Sequence, residues 1–245
     1  MSEQCGGWRE RLGRRTASLP TLALDERRTA LLIVDMQNYG ANPDSDRGRL
    51  MLERTPDRAC AYFAQLDEVV IPNQARLLDF WRRHGLRVIF LTAGALLPDG
   101  NDMTPRRRRR DEERLAALGQ TEHMHPMTSD YQIVESLRPR GEEIVIRKNS
   151  IGAFNSSPID QILRNMGITG LVIVGVITEG CVETTARDAA DRGYDCIVVE
   201  DCCASDFDLE VHDASLLSFA RMFGQVMSTE EVLERFEGAL GKARR

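Results

Sequence analysis

The chain has 245 residues, of which 42% are apolar and 29% are charged, and 32 basic against 38 acidic residues leave a net charge of −6. This composition supplies a hydrophobic core and excludes a wholly disordered protein. The acidic balance argues against a nucleic-acid-binding protein. Apolar runs such as Ala30–Val34 are much shorter than the roughly 20 residues that a membrane-spanning helix needs.

The first 24 residues lack the apolar core of a secretory signal and carry two glutamates, Glu3 and Glu10. We expect residues 1–24 to form a flexible extension and residues 25–245 to form a single domain. The six cysteines show no C-x-x-C pair and no regular spacing, which argues against a zinc ribbon or a disulfide scaffold. A reduced, cytoplasmic protein is therefore expected.

Apolar runs alternate with segments of helical spacing along the chain. In chain order we predict a strand at Thr29–Asp35, a helix at Val69–His84, a strand at Arg87–Leu91, a helix at Thr104–Leu118, a strand at Glu142–Ile146, a helix at Pro158–Met166, a strand at Leu171–Val176, a helix at Cys181–Arg192, a strand at Asp195–Val199 and helices at Val211–Phe223 and Thr229–Phe236. This order is typical of an α/β fold with a doubly wound, Rossmann-like, mostly parallel sheet and helices on both faces.

Five consecutive arginines, Arg106–Arg110, lie at the start of the second predicted helix and are followed directly by Asp111, Glu112 and Glu113. We interpret this segment as a solvated helix surface on which opposite charges neutralise one another.

Three chemically different side chains stand at the ends of predicted strands: Asp35, Lys148 and Cys181. Ligands of doubly wound sheets bind at the carboxyl ends of the strands. Cys181 opens a predicted helix, whose dipole favours the thiolate, and a nearby ammonium has the same effect. A carboxylate within reach can accept the thiol proton. Each residue alone also suits a plainer role, but together they predict a nucleophilic acyl-transfer site with a low-pKa cysteine.

Three segments carry a family resemblance: Ala30–Asn38 (ALLIVDMQN), Ile146–Phe154 (IRKNSIGAF) and Val174–Ala190 (VGVITEGCVETTARDAA). They resemble the isochorismatase-like cysteine hydrolases over about Arg28 to Phe236. The resemblance implies the fold of that family and an Asp–Lys–Cys triad, with Asp35 as general base, Lys148 as its charge partner and Cys181 as nucleophile. It further implies a cis peptide bond before Ile177, which directs the backbone N–H groups of Ile177 and Cys181 towards an oxyanion.

The cysteine favours amide or ureide hydrolysis, because family members that replace it cleave a vinyl ether instead. Members that act on nicotinamide usually carry a D-x-H metal site, whereas residues 38–53 contain Asp44 and Asp46 but no histidine. We therefore predict neither a metal nor another cofactor. Residues 127–167 and the run Asp201–Ser205 (DCCAS) look most like carbamoyl and ureido amidohydrolases, which act on biuret, triuret, N-carbamoylsarcosine or ureidoacrylate. An isochorismatase-type vinyl-ether hydrolase or lyase, and a nicotinamidase-like amidase without the usual metal site, remain alternatives.

Polar and aromatic residues beside these motifs are candidates for substrate contacts, although each also suits a turn, a cap or core packing: Gln37, Tyr39, Phe154, Asn155 and Glu179. The expected partner is a small-molecule substrate, without nucleic acid or membrane. The resemblance implies a homodimer or homotetramer.

Overall fold

A computed structural model describes residues 7–13 and 19–242 of the chain. Its centre is a six-stranded sheet in the order β3-β2-β1-β4-β5-β6, in which all neighbouring strands are parallel. The strands are β1 (Thr29–Val34), β2 (Val88–Ala93), β3 (Ile144–Lys148), β4 (Gly170–Val176), β5 (Asp195–Ala204) and β6 (Gln225–Met227). This confirms the predicted doubly wound α/β fold, and the strand order reverses between β1 and β4.

Helices cover both faces of the sheet. They are α1 (Trp8–Gly13), α2 (Asn38–Ala41), α3 (Asp46–Arg54), α4 (Pro56–Gln65), α5 (Ile71–Arg83), α6 (Pro105–Leu118), α7 (Ile159–Asn165), α8 (Glu183–Asp191), α9 (Leu209–Met222) and α10 (Thr229–Lys242). Single π-helical turns at Leu66–Val70 and Thr178–Val182 lead into α5 and α8. None of the helices within the described residues has the length and hydropathy needed to cross a membrane.

The aliphatic run of β1 is buried along its whole length. Successive side chains of a strand point to opposite faces, so Leu31 and Ile33 pack in one core with Trp81, and Leu32 packs in the other with Phe219. A strand covered on both faces needs apolar residues at every position, which explains why the run shows no alternation with polar residues.

Part of the N-terminal segment is packed against the domain and corrects the expectation of a flexible extension over residues 1–24. Trp8 in α1 is buried, and its indole N–H donates to Glu200 at 2.7 Å. Arg9 forms ion pairs with Glu200 at 2.7 Å and Glu231 at 2.6 Å. A buried tryptophan with a satisfied N–H anchors this segment strongly. Residues 1–6 and 14–18 lie outside the described residues.

Several elements differ from the predicted ones. Three helices, α2 to α4, fill the region between β1 and α5, and β6 adds a sixth strand; none of these elements was predicted. β6 has only three residues, which is too short for a periodic pattern to emerge. The predicted third strand ends at Ile146, whereas β3 continues to Lys148, so this lysine belongs to the strand itself.

Close contact between the two central strands depends on Gly175. Its φ is +129°, and a Cβ built there would lie 2.0 Å from the carbonyl oxygen of Val34 in β1. The pairing of β4 with β5 shifts register between Ile173 and Gly175. Only glycine permits this conformation and this approach of two backbones.

We expect Gly175→Ala to destabilise the fold severely, because the added methyl group meets a backbone atom that cannot move aside. Gly85→Ala is the matched control: its φ is +63°, but a Cβ there meets nothing within 4 Å. The control should lose about 1–2 kcal/mol of unfolding free energy, and Gly175→Ala should lose at least about 2 kcal/mol more. Urea unfolding of both variants measures this; equal losses would contradict the role given to Gly175.

Candidate active site

The carboxyl edge of the sheet brings together three side chains that are remote in sequence. Asp35 follows β1 directly, Lys148 ends β3, and Cys181 lies in the π-helical turn after β4. β1 and β4 flank the point where the strand order reverses, which is the place where doubly wound sheets hold ligands. Asp35 has a φ of 53°, which turns the chain sharply at the end of β1; aspartate tolerates this left-handed conformation better than most residues.

Lys148 contacts both other members of this group. Its Nζ donates to Asp35 Oδ2 at 2.7 Å and to Cys181 Sγ at 3.3 Å. Further acceptors are the carbonyl oxygens of Ile151 at 2.9 Å and Ser150 at 3.3 Å. Lys148 is 1% exposed and Asp35 is 9% exposed. The ammonium is therefore buried, and it is bound on several sides.

The Lys148 ammonium keeps its proton because of these neighbours. Burial by itself lowers the pKa of the lysine. The negative charge of Asp35, the adjacent Cys181 and the hydrogen bond to Asp35 act in the opposite direction and prevail, so the pKa of Lys148 lies above its ordinary value.

Cys181 is a neutral thiol in the resting site, which contradicts the low pKa predicted from the sequence. Burial, followed by the nearby charge of Asp35, raises its pKa to about 12, and the opposing charge of Lys148 does not compensate. Cys181 lies in the π-helical turn Thr178–Val182, which leads directly into α8 at Glu183. The helix dipole favours the thiolate there, but burial and Asp35 outweigh it. Cys181 nevertheless retains partial exposure to solvent.

One oxygen of the Asp35 carboxylate remains available. Oδ2 is bound by Lys148, whereas Oδ1 is buried and has no hydrogen-bond partner among the described residues. A buried acceptor without a partner is uncommon and calls for a reason. Beside a neutral thiol, such an oxygen is suited to accept a proton.

The turn that carries Cys181 is held from several directions. The peptide bond between Val176 and Ile177 is cis, as the resemblance implied. The carbonyl oxygen of Ile177 accepts hydrogen bonds from the backbone N–H groups of Gly180 at 3.0 Å and Val182 at 3.3 Å. Thr178 shares a hydrogen bond of 2.8 Å with His212. Burial lowers the pKa of His212, so its ring is neutral at neutral pH.

Two of the residues predicted to contact substrate are buried and have partners within the protein. Gln37 is buried, and both ends of its amide are bound: Nε2 donates to the carbonyl oxygen of Tyr131 and Oε1 accepts from the N–H of Ala93, both at 2.7 Å. Phe154 is buried in the core, 6.1 Å from the ring of Tyr194. The sequence indicates the polar and aromatic character of these residues, but the structure shows that packing and backbone partners occupy them.

The other three predicted contacts remain accessible or incompletely bound. Two guanidinium groups lie over the Tyr39 ring, that of Arg47 at 5.3 Å and that of Arg114 at 5.1 Å from its centroid. Asn155 is exposed. Glu179 accepts from Ser205 at 2.9 Å through Oε1, while its buried Oε2 has no partner among the described residues. Burial is the largest cause that raises the pKa of Glu179.

Histidines near this edge are engaged with carboxylates. His123 contacts Asp111 at 2.8 Å, and His125 contacts Glu122 at 2.6 Å. Within residues 7–13 and 19–242, no group of three or more histidine, cysteine, aspartate or glutamate side chains is arranged to hold a metal ion.

The neutral state of Cys181 predicts how its thiol reacts with iodoacetamide. At pH 8, we expect the exposed Cys60 to be labelled well before Cys181, because only thiolate reacts. Asp35→Asn should accelerate labelling of Cys181, since it removes a charge that raises the pKa of the thiol. Time-resolved peptide mass spectrometry gives both rates. Faster labelling of Cys181 than of Cys60 in the unaltered protein would refute the neutral thiol.

Removal of the Lys148 ammonium should destabilise the fold, because the Asp35 carboxylate is then buried without a partner. We expect Lys148→Met to lower the free energy of unfolding at pH 7 by about 3 kcal/mol or more, because Asp35 is left buried without its partner. The double variant Asp35→Asn/Lys148→Met should be more stable than the single variant, since it removes both charges. Urea unfolding tests this comparison; additive losses in the double variant would show that the two charges are not coupled.

Comparison with known proteins identifies the family of the chain. The isochorismatase domain model matches residues 29–231. A ureidoacrylate amidohydrolase of Methylobacterium radiotolerans is 30% identical over 257 aligned positions, covering 98% of this chain and 92% of that protein.

Solved structures show the same fold. A cysteine hydrolase from Pseudomonas syringae pv. phaseolicola superposes with a TM-score of 0.73 at 26% identity, over 92% of this chain and all of that one. An N-carbamoylsarcosine amidase from Thermoplasma acidophilum superposes with a TM-score of 0.59 at 27% identity, over 82% of this chain and 96% of that one. The match over most of the chain confirms both the predicted fold and the predicted relationship: this protein belongs to the isochorismatase family of hydrolases.

Proposed function

We propose that this protein is a cysteine-dependent amidohydrolase that cleaves the C–N bond of a small carbamoyl, ureido or amide substrate. The observation that carries the proposal is the position of Lys148 Nζ, which binds Asp35 at 2.7 Å and Cys181 at 3.3 Å at the same time. Base, cation and nucleophile are thereby assembled at one buried point, as a covalent hydrolytic mechanism requires.

In the first step Asp35 accepts the proton of Cys181 while the sulfur attacks the substrate carbonyl carbon. Because burial and Asp35 hold the pKa of the thiol near 12, the proton leaves as the S–C bond forms rather than before substrate binds. The Lys148 ammonium stabilises the negative charge on sulfur during this transfer. Asp35 Oδ1, which has no other partner among the described residues, is the receiving atom.

The attack places negative charge on the carbonyl oxygen. Backbone N–H groups of Ile177 and Cys181 stabilise this oxyanion, a contribution of about 2.7–4 kcal/mol for each donor in comparable sites. The tetrahedral species then collapses: the C–N bond breaks, and protonated Asp35 gives its proton to the departing ammonia or amine. This leaves a thioester, or a thiocarbamate when the substrate is a ureide.

Water completes the cycle. Asp35 takes a proton from the water molecule as its oxygen attacks the carbonyl carbon of the intermediate, and the S–C bond breaks. The proton held by Asp35 returns to the sulfur of Cys181 and restores the thiol. Each step uses only the chain's own residues, substrate and water, so the reaction as written needs no cofactor.

The relatives narrow the substrate class. Ureidoacrylate and N-carbamoylsarcosine, named for two similar proteins, both contain a carbamoyl group on nitrogen, which favours a ureido substrate here. Cleavage of a vinyl ether has no use for a thiol, and the contact between Cys181 and Lys148 therefore favours hydrolysis of an amide or ureide.

Substitution of the nucleophile tests the proposal. We expect Cys181→Ala and Cys181→Ser each to lower kcat by at least about 10³, because the covalent route is lost. Ammonia release from biuret, triuret, N-carbamoylsarcosine, ureidoacrylate, maleamate and nicotinamide is the measurement. Cys60→Ser changes an exposed thiol and should leave the rate unchanged. Undiminished turnover in Cys181→Ala would exclude the covalent mechanism.

A further inference from the structure

One member of the arginine run Arg106–Arg110 contacts the candidate site. Arg107 Nη1 donates to the carbonyl oxygen of Ser150 at 3.4 Å, and the same oxygen accepts from Lys148 Nζ at 3.3 Å. The guanidinium of Arg107 and the ammonium of Lys148 thus share one acceptor. This contact corrects the interpretation of the whole run as a solvated surface: Arg107 is partly buried, while Arg106, Arg109 and Arg110 are exposed.

The positive charge of Arg107 is not neutralised by a carboxylate. Other arginines of α6 have such partners: Arg108 pairs with Glu112 at 3.5 Å and Arg114 with Asp111 at 2.9 Å. In the part of the chain that the structure describes, no acidic group forms an ion pair with Arg107. A guanidinium offers five N–H donors in a planar fork, so most of the binding capacity of Arg107 is unused by protein acceptors.

The charge of Arg107 is felt by the nucleophile and by its cationic neighbour. Next to the larger effects of burial and Asp35, it lowers the pKa of both Cys181 and Lys148. Within the triad, Asp35 and Lys148 cancel each other and Cys181 is neutral. Arg107 therefore gives the candidate site a net positive charge on the side where Ser150 lies.

The position of the arginine run at the start of α6 strengthens the positive electrostatic potential near Arg107. α6 begins at Pro105, its first turn contains no acidic residue, and Thr104 provides no side-chain cap. The amino-terminal end of a helix is already positive. Arginines at this end add to the same field, which attracts anionic ligands from solution.

We propose that Arg107 determines specificity by binding a carboxylate of the substrate while the scissile carbonyl lies against Cys181. The inference rests on the proposed function and deepens it: the substrates are ureido or carbamoyl carboxylic acids, preferred over neutral ureides such as biuret. A guanidinium binds a carboxylate with two parallel hydrogen bonds, which fixes orientation as well as charge. Arg107 acts as a binding residue and takes no part in proton transfer.

A pair of alkylating reagents tests anion recognition without any substrate. Iodoacetate and iodoacetamide both lose iodide to the Cys181 thiolate, but only the former carries a carboxylate. Their rate ratio cancels changes in thiol pKa, because both reagents attack the same thiolate. We expect Arg107→Gln to lower the ratio of iodoacetate to iodoacetamide labelling by about fivefold or more. Arg110→Gln removes an equal charge from an exposed position and should leave the ratio unchanged. Measurement at pH 9.5 with peptide mass spectrometry provides enough thiolate.

Hydrolysis provides a second readout. With N-carbamoylsarcosine or ureidoacrylate, Arg107→Gln should raise KM about tenfold relative to Arg110→Gln, with a smaller change in kcat. With neutral biuret the two variants should behave alike. A merely structural role of Arg107 would alter both substrate types equally, and thermal unfolding of both variants checks that the fold is retained.

The outcomes separate the two proposals. An unchanged reagent ratio in Arg107→Gln, or equal KM changes for acidic and neutral substrates, overturns the role of Arg107 while leaving the cysteine mechanism in place. Absence of hydrolysis of every ureide and amide of the panel by the unaltered protein overturns the proposed function, and the reagent ratio then still decides whether Arg107 recognises an anion beside Cys181.

Discussion

The candidate site depends on a buried ammonium that is shared between a carboxylate and a sulfur. Lys148 is almost fully buried, and burial alone would favour its neutral form. Asp35 reverses this preference, and Lys148 in turn keeps the buried carboxylate from being an unpaired charge, which would cost several kcal/mol. The ion pair joins the ends of β1 and β3 across β2, so its geometry is set by the sheet itself.

This arrangement explains why the cysteine is not ionised at rest. The cation lowers the pKa of the thiol, whereas burial and the carboxylate raise it, and the two raising effects prevail. In the proposed mechanism a neutral thiol needs a base, and the same carboxylate that suppresses ionisation is able to act as that base. A resting thiol that is neutral is also less open to oxidation and stray alkylation than a thiolate.

The charges around Asp35, Lys148 and Cys181 are of two kinds: one ion pair in which both charges are paired, and one cation without a carboxylate partner among the described residues. Asp35 and Lys148 satisfy each other, whereas Arg107 reaches the same loop with its charge unpaired by any described carboxylate. The ion pair of Asp35 and Lys148 is suited to proton transfer, because a proton that passes from Cys181 to Asp35 leaves the net charge of the protein unchanged. The guanidinium of Arg107 is suited to recognition, because a cation without a carboxylate partner attracts an anionic ligand most strongly. The proposed preference for carboxylic acids follows from this division.

Some features of the protein follow from local sequence alone. The continuous aliphatic run of β1 predicts a strand buried on both faces, because no position along it tolerates water. The alternation of such runs with helical spacing predicts the doubly wound sheet, and the topology of that sheet places Asp35, Lys148 and Cys181 at one edge. Short or polar elements are not predicted by this reasoning: β6 has three residues, and five of the nine residues of α3 are charged.

Other features depended on the tertiary structure. The anchoring of Trp8 by Glu200, the use of the Gln37 amide by two backbone groups and the contact of Arg107 with Ser150 all join residues far apart in the chain. The pKa of Cys181 was predicted in the wrong direction, because the sequence shows which charges are present but not how deeply each is buried. Residue patterns report which side chains avoid water, whereas hydrogen bonds between distant residues and the loss of solvent around a charge are set only when the chain packs.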